Sequence, residues 1–503
     1  MIEQFGAGAA LALQPYPLAA AIGGLVLGVI VGAIPGLTAT MTIAILTPFT
    51  FFLPPTVAIG ALLGIYKGAV YGGSIPAILI NTPGTAAAAA TSLDGHVLAR
   101  QGRAREALQM SLFASVAGDM LATVVLVVVA APLAAFAVTF SAPEYTVLFV
   151  VSLLLIAGVS GGNPFLGLVS ACFGALLGCV GMDPMTGTQR YVFGVTDLLG
   201  GISLVPLLIG MFALSEVLVQ AGQRDDTGVT LPSRAGGGQP LRANQMKAVA
   251  PTILRSSGIG AFIGALPGLG AEIACWIGYA IAKRRSRHPD LYGKGSLEGI
   301  AAAESANNAS VPGTLIPMLV FGIPGDVVTA VLLGAFIAQG LTPGPLLFVN
   351  HGAIIYALYV LLFITNVALI AVGIGAIGSF RRLANLPRGL ILPCVSVLCA
   401  AGAFAVNSSG FDVILMFAGG FAGYGMRRIG MPIPPLIIAL LIAPSLEGNL
   451  RQALAFSSGD PSIFVTRPIS AGIIALFSAA LLFMLWQRMR RSSSPTMQSE
   501  RTR

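Results

Sequence analysis

The chain has 503 residues, of which 56% are hydrophobic and only 9% charged, with a formal net charge of +8. Soluble domains carry roughly a quarter charged residues, so a chain this poor in charge cannot cover a water-facing surface of its size. The composition excludes a soluble protein, and the Lys and Arg sit in short loops, where they read as cytoplasmic anchors of membrane spans rather than a nucleic-acid surface.

Apolar runs of about 18–20 residues, each able to cross a hydrocarbon core, recur almost end to end. An N-terminal segment, 1–16, carries Glu3 and no basic cluster, unlike a cleaved signal peptide. Spanning segments are then predicted at 17–34, 38–53, 56–71, 107–130, 144–160, 164–182 and 198–219. A polar, Gly-rich linker follows at 221–247. A second series runs 250–266, 269–282, 301–323, 327–342, 352–378, 389–407, 411–425, 433–446 and 468–487. A basic tail, 488–503, is expected to be disordered. Several segments are short or interrupted, so roughly ten to twelve true crossings are expected, the rest being half-helices or re-entrant hairpins. The fold class is an all-α polytopic membrane protein, with one membrane repeat in 17–220 and a second, with extra C-terminal helices, in 248–487.

The two halves share landmarks in the same order. "GAIPGL" at 32–37 recurs as "GALPGL" at 264–269, each behind glycines four residues apart: Gly24, Gly28 and Gly32, then Gly260 and Gly264. "SIPAILINTPGT" at 74–85 matches "LIPMLVFGIPGD" at 315–326, with Pro76 and Pro83 spaced like Pro317 and Pro324. Two landmarks in one order point to an internal duplication. The loop between them is uncharged in the first half (51–56) and basic in the second (283–294), whereas the basic loop of the first half, 93–105, follows the second landmark. Basic loops stay in the cytoplasm, so equivalent helices are expected to leave on opposite sides, as in inverted-repeat transporters. The clusters Arg381/Arg382, Arg427/Arg428 and Arg488/Arg490/Arg491 place further loops and the C-terminus inside.

Each landmark holds a Pro-Gly break: Pro35-Gly36, Pro83-Gly84, Pro267-Gly268 and Pro324-Gly325. A helix restarted at membrane depth presents unpaired N–H groups and the positive end of its dipole, which attract anions. A single break is more often a plain kink; paired breaks in two halves point to a midplane site. Polar groups cluster nearby: Thr38, Thr40, Ser74, Asn81, Thr82 and Thr85 in the first half, Asn307, Asn308, Ser310 and Thr314 in the second. Hydroxyls and amides suit carboxylate oxygens as donors and Na⁺ as oxygen ligands, with Thr40, Asn81 and Asn308 as candidate Na⁺ neighbours. The competing reading for each hydroxyl is back-bonding to its own helix. Lys67, inside an apolar run, is a counter-charge for an anion or a snorkelling side chain. Glu272, Glu304, Asp326 and Asp119 are candidates to carry coupling protons or Na⁺; Asp119 could instead pair within the bundle, and Glu272 or Asp326 could cap a half-helix.

The five cysteines, Cys172, Cys179, Cys275, Cys394 and Cys399, form no C-x-x-C pair and read as packing residues. His96, His288 and His351 are scattered, which argues against a His-based metal site. No P-loop or H-E-x-x-H motif is present, and no G-x-S-x-G in the context of a nucleophile elbow, so neither ATP hydrolysis nor another enzymatic activity is expected, and no cofactor beyond a coupling ion.

The stretches "GAIPGLTATMT", "YGGSIPAILINTPGTAAAAATSLDGHVLARQGRAREAL", "GALPGLGAEIACWIGYAIAK" and "AAAESANNASVPGTLIPMLVFGIPGD" resemble the large membrane subunit of tripartite tricarboxylate transporters, the TctA type, over roughly residues 17–450. The resemblance implies a bacterial inner-membrane permease with two partners, a small four-helix membrane subunit and a periplasmic solute-binding protein that captures an organic carboxylate. It also implies uptake driven by a Na⁺ or H⁺ gradient. A passive anion channel and an intramembrane enzyme are the competing readings; the paired breaks favour transport, and the acidic groups beside them favour ion coupling.

Overall fold

The computed structural model describes residues 2–159, 163–183, 185–222, 238–383 and 388–492. Helices dominate, because in hydrocarbon only a helix satisfies its own backbone polar groups within one segment. The first half comprises α1 (Ile2–Ala12), α2 (Pro15–Ala33), α3 (Ala39–Leu46), α4 (Pro55–Gly72), α5 (Ser74–Ile80), α6 (Ala89–Arg100), α7 (Ala104–Ala137), α8 (Ala142–Val159) and α9 (Pro164–Gly178). A two-stranded antiparallel ribbon follows, β1 (Gly181–Met182) with β2 (Gln189–Arg190). Next come α10 (Leu204–Leu208), a π turn (Ile209–Leu214) and α11 (Ser215–Ala221). The second half comprises α12 (Ala243–Gly264), α13 (Gly270–Arg285), α14 (Leu297–Phe321), α15 (Val327–Ala338), α16 (Leu347–Asn350) and α17 (Gly352–Leu383). The chain ends in α18 (Arg388–Asn407), α19 (Gly410–Arg428), α20 (Ile433–Phe456), α21 (Ile463–Thr466) and α22 (Pro468–Ser492).

Among the described residues, seven helical stretches are long and apolar enough to cross a membrane, and four further apolar helices are shorter. The chain is a multi-pass membrane protein. The central α14 is different: every residue from Gly299 to Val320 is buried. Its run of Glu, Asn, Ser and Thr is tolerated because α7, α12 and α13 sheathe it from lipid.

The glycine ladders set the packing. A Cβ added at Gly24, Gly28 or Gly32 of α2 would lie 2.2–2.3 Å from the carbonyl oxygens of Ala61, Ile65 and Ala69 on α4. The second half repeats this: a Cβ at Gly260 or Gly264 of α12 would lie 2.3 and 2.5 Å from the oxygens of Ala306 and Ser310 on α14. Small residues let the backbones meet, so dispersion contacts replace the hydrophobic drive that lipid cannot supply.

The breaks repeat in backbone detail. Gly36 and Gly268 both adopt positive φ, 96° and 84°, where a side chain would be strained. Asn81 and Gly322 both end their helices in the left-handed region, at φ 54° and 70°. One residue on, the Thr82 N–H bonds to Pro76 O at 3.3 Å and the Ile323 N–H to Pro317 O at 3.2 Å. Thus α2, α3, α4–α5 and α6 correspond to α12, α13, α14 and α15.

The connections between halves cross over. Asp94, midway along α6, accepts the N–H groups of Gly293, Gly295 and Ser296 at 2.8–2.9 Å, and Gln101, just after the helix, reaches the Lys294 carbonyl. The two basic loops therefore lie side by side. At another junction Gln339, just after α15, donates to Thr50 O at 2.8 Å beside the uncharged loop after α3. So α6 shares its loop face with α13, and α3 with α15: each helix shares a face with the counterpart of the other. An inverted duplication requires this crossing of partners.

Several details depart from the sequence expectations: residues 93–100 of the expected basic loop are helical, in α6, and residues 488–492 of the expected tail continue α22. The N-terminal segment forms α1, which packs on α17 with the Phe5 and Tyr356 rings 6.0 Å apart. The last residues of the expected linker belong to α12, whose start is tied to α7 by the Leu241 N–H on Gln109. The ribbon at 181–190 was not foreseen. Linker residues 223–237, tail residues 493–503 and the side chains of the basic pairs at 381–382 and 488–491 lie outside the described residues.

Candidate functional site

The four helix restarts meet in one cavity of about 510 Å³. Thr38, Ala39 and Thr40 enter it from the start of α3, and Thr85, Ala86 and Ala87 from the turn that opens α6. Gly268 to Ile273 enter from the start of α13, and Asp326, Val327 and Val328 from the start of α15. A helix start leaves its first N–H groups without intrahelical partners, so four sets of donors converge on one chamber. Tyr66 of α4 and Asn307 of α14 complete the polar wall; Ile156, Phe212 and Ile438 are among the apolar residues.

A Pro-Gly pair interrupts the chain before each restart, but a side-chain cap opens only two of the four: α13 starts behind Leu269 and the turn opening α6 behind Thr85, neither with a side-chain cap. Thr38 caps α3 by accepting the Met41 N–H at 3.2 Å. Asp326 caps α15, its Oδ1 accepting the Thr329 N–H at 2.8 Å and the Thr329 hydroxyl at 2.6 Å. Tyr66 Oη donates to Asp326 Oδ2 at 2.5 Å and also touches Thr314 Oγ1 at 3.3 Å, binding the first half to the second.

Three carboxylates and one guanidinium line the chamber: Glu216, Glu272, Asp326 and Arg427. Arg427 is ion-paired with Glu216. Gln220 donates to Glu216 Oε1 at 2.8 Å and to Gly36 O at 2.5 Å, tying that rim to the first break. Glu272 stands exposed in the first turn of α13, facing the chamber. A bare anion entering this chamber meets an excess of acidic groups.

The sequence candidates separate into three groups. Thr38, Thr40, Gly268, Glu272, Asn307 and Asp326 line the chamber. Pro35, Gly36, Pro83, Gly84, Pro267, Pro324 and Gly325 form the breaks behind it without joining its lining. Gly84 and Gly325 pack on the ends of α2 and α12, and the Gly268 N–H bonds to Gly325 O at 2.8 Å. Asn81 and Thr82 are exposed, outside the lining. Ser310 back-bonds to Asn307 O at 2.7 Å.

The third group sits in two buried networks away from the chamber. Glu304 accepts hydrogen bonds from Thr91, from Ser115 at 2.9 Å and from Asn308 at 3.3 Å; Asn308 also donates to Ser115 at 2.8 Å. Ser74 joins Ser111 at 2.7 Å and its own turn at Tyr71 O. Lys67 does not reach the chamber or snorkel: it is 0% exposed, lies 3.3 Å from Asp119 Oδ2 and donates to Leu362 O at 2.7 Å. Asp119 in turn accepts from Thr123 at 3.1 Å. Thr40, Asn81 and Asn308, the candidate Na⁺ neighbours, fall in three different places.

Sequence reasoning missed Tyr66, Glu216 and Arg427 as lining residues, and Asp94 as the clasp between the basic loops. Tyr66 was legible in principle, because it stands one residue before Lys67 at the place in the repeat that Asn307 takes in the second half. Glu216 and Arg427 come from outside the repeated landmarks, so no pairing flagged them.

Residues 18–438 match the tripartite tricarboxylate transporter TctA family. The chain belongs to this family. TctA proteins are the large subunit of tripartite tricarboxylate transporters, so a transport role and partner subunits come with membership. Two relatives, both from Agrobacterium vitis, are similar to this TctA chain. An uncharacterized 52.8 kDa protein in the TAR-I ttuC' 3' region is 36% identical over 490 residues, 97% of each chain. An uncharacterized protein in the TAR-II ttuC' 3' region is 34% identical over 231 residues, 46% of this chain and 96% of that protein. No solved structure matches.

Proposed function

We propose that this TctA chain is the permease of a binding-protein-dependent secondary transporter that imports a di- or tricarboxylate, or a similar organic anion, across a bacterial inner membrane. One observation carries this reading: helix restarts from both halves converge on a single chamber. Their N–H groups favour a negative guest. The lining carboxylates Glu272 and Asp326 oppose that guest unless cations or protons enter with it, which favours coupling to Na⁺ or H⁺ over a passive anion pore. The basic loops mark the cytoplasmic face. Arg427, from one of the basic clusters, borders the chamber together with Met431 to Pro434, so the chamber reads as reached from inside. On this reading the C-terminus is cytoplasmic, and a periplasmic binding protein delivers cargo at the opposite face while a small membrane subunit completes the complex.

Uptake of labelled carboxylates by cells carrying all three subunits tests this. Accumulation above the external level, abolished when the Na⁺ or H⁺ gradient is dissipated, is the expected result. Equilibration that persists without a gradient would support a channel instead.

A further inference from the structure

The two halves bring matching residues to the chamber but complete them differently. Tyr66 and Asn307 occupy one place in the repeat, and Asp326 and Thr85 another. In one pair Tyr66 reaches across the halves to Asp326, whose carboxylate takes the N–H and hydroxyl of Thr329 at the start of α15. The protein thus holds a carboxylate of its own at that helix start. It is met by a backbone N–H, a hydroxyl of the same turn and a donor from the facing half.

The mate of this arrangement is Asn307 with Thr85, at the turn opening α6. Here the internal carboxylate is missing, because threonine replaces aspartate. Both polar atoms of the Asn307 amide and the Thr85 hydroxyl are buried without a hydrogen-bond partner, and Asn307 is 0% exposed. Leaving such groups unpaired is costly, and native proteins keep few of them. The N–H groups of Ala86 and Ala87 stand at a helix start beside them.

We propose that Asn307, Thr85 and the N–H groups opening the Ala86–Arg100 segment form the carboxylate subsite of the chamber, while Asp326 and Tyr66 keep the equivalent place in the other half closed to anions. The inference deepens the transport reading and rests on it. It assigns the recognised group as one planar carboxylate, bound by neutral donors with no partner Lys or Arg. Asn307 supplies the donor that Tyr66 supplies opposite. Recognition by neutral donors suits a site that must release its cargo, since a buried guanidinium pair would hold it more tightly.

Thermal unfolding of the purified chain in nanodiscs, with acetate, succinate or citrate against chloride and phosphate at matched ionic strength, tests the assignment. The wild type is expected to be stabilised by at least one carboxylate and not by chloride or phosphate. Thr85→Asp should abolish that shift without loss of basal stability, because the new side chain caps its own helix as Asp326 does. Asn307→Asp should abolish it by repulsion. If either variant misfolds, Thr85→Ala and Asn307→Ala serve, each expected to weaken carboxylate binding roughly tenfold or more. A shift that survives all four substitutions overturns the subsite and leaves the chamber reading standing. A wild type stabilised by no carboxylate overturns both. Stabilisation by Na⁺ that Asn307→Asp strengthens would make this a cation site and overturn the assignment.

Discussion

Replacing Lys67 with Met separates a structural cation from a substrate-binding one. The Lys67 ammonium is 3.3 Å from Asp119 Oδ2, with both residues essentially inaccessible. At that distance an effective dielectric of about 20 gives an attraction of about 5 kcal/mol, against a desolvation penalty of several kcal/mol per ion. The pair as a whole is therefore close to neutral for stability. Removing one partner is not: it strands a buried carboxylate, and costs about 3–5 kcal/mol; the Leu362 carbonyl keeps the Thr365 hydroxyl. Lys67→Met is expected to lower stability by that amount, and Lys67→Met with Asp119→Asn to recover most of it. Denaturant titration in detergent, read as a double-mutant cycle, measures both. Uptake should follow stability and recover in the double variant. A single variant destabilised by less than about 1 kcal/mol, or one of normal stability that has lost substrate affinity, would refute the reasoning and return Lys67 to the substrate.

Other substitutions probe the packing, the rim and the outer ribbon. Gly28→Ala would push a methyl to 2.3 Å from Ile65 O and should cost at least about 1–3 kcal/mol, whereas Gly23→Ala, with nothing within 4 Å, should change stability little. Arg427→Ala leaves Glu216 unpaired at the chamber, so the apparent KM for an anionic substrate should rise several-fold while stability changes by less than about 1 kcal/mol, the pair being partly exposed; an unchanged KM would contradict this. On the ribbon, the Met185 N–H and the Arg451 guanidinium hold the Asp183 carboxyl down at about 2. Its ordinary value is near 3.9, so its contribution to anchoring the ribbon is full above that and is lost as pH falls through about 2. Limited proteolysis at neutral pH should cut Asp183→Asn faster than wild type within 181–203, and acid-stable proteases should find the wild-type ribbon loosened only at the acid end of that window.

The breaks and the glycine ladders were legible because both are written in residues with backbone meaning, and because duplication gives each an internal control. The same control shows why Asn81 reads differently in the fold. Its counterpart is Gly322, so the position selects for a left-handed helix end, and its amide is placed by that turn. Asp326 followed by Thr329 was readable as a cap from local spacing alone. Lys67 and Glu304 were not readable in this way. A buried charge in a membrane helix announces that it has partners, but Asp119 and Leu362 for Lys67, or Thr91 and Ser115 for Glu304, come from helices far along the chain. Only the packing of α4, α7, α14 and α17 decides whether such a charge faces a guest or a neighbour. The Asp94 clasp is of the same kind, since its partners begin about 200 residues later.

The convergence of the four helix restarts is tested most directly by single cysteines at Ala39, Ala86, Ala271 and Val327, in a chain whose five native cysteines are replaced. A water-soluble thiol reagent should label all four, and a transported carboxylate should protect all four together. Labelling of some but not others, or labelling that the carboxylate leaves untouched at every position, would contradict a shared chamber.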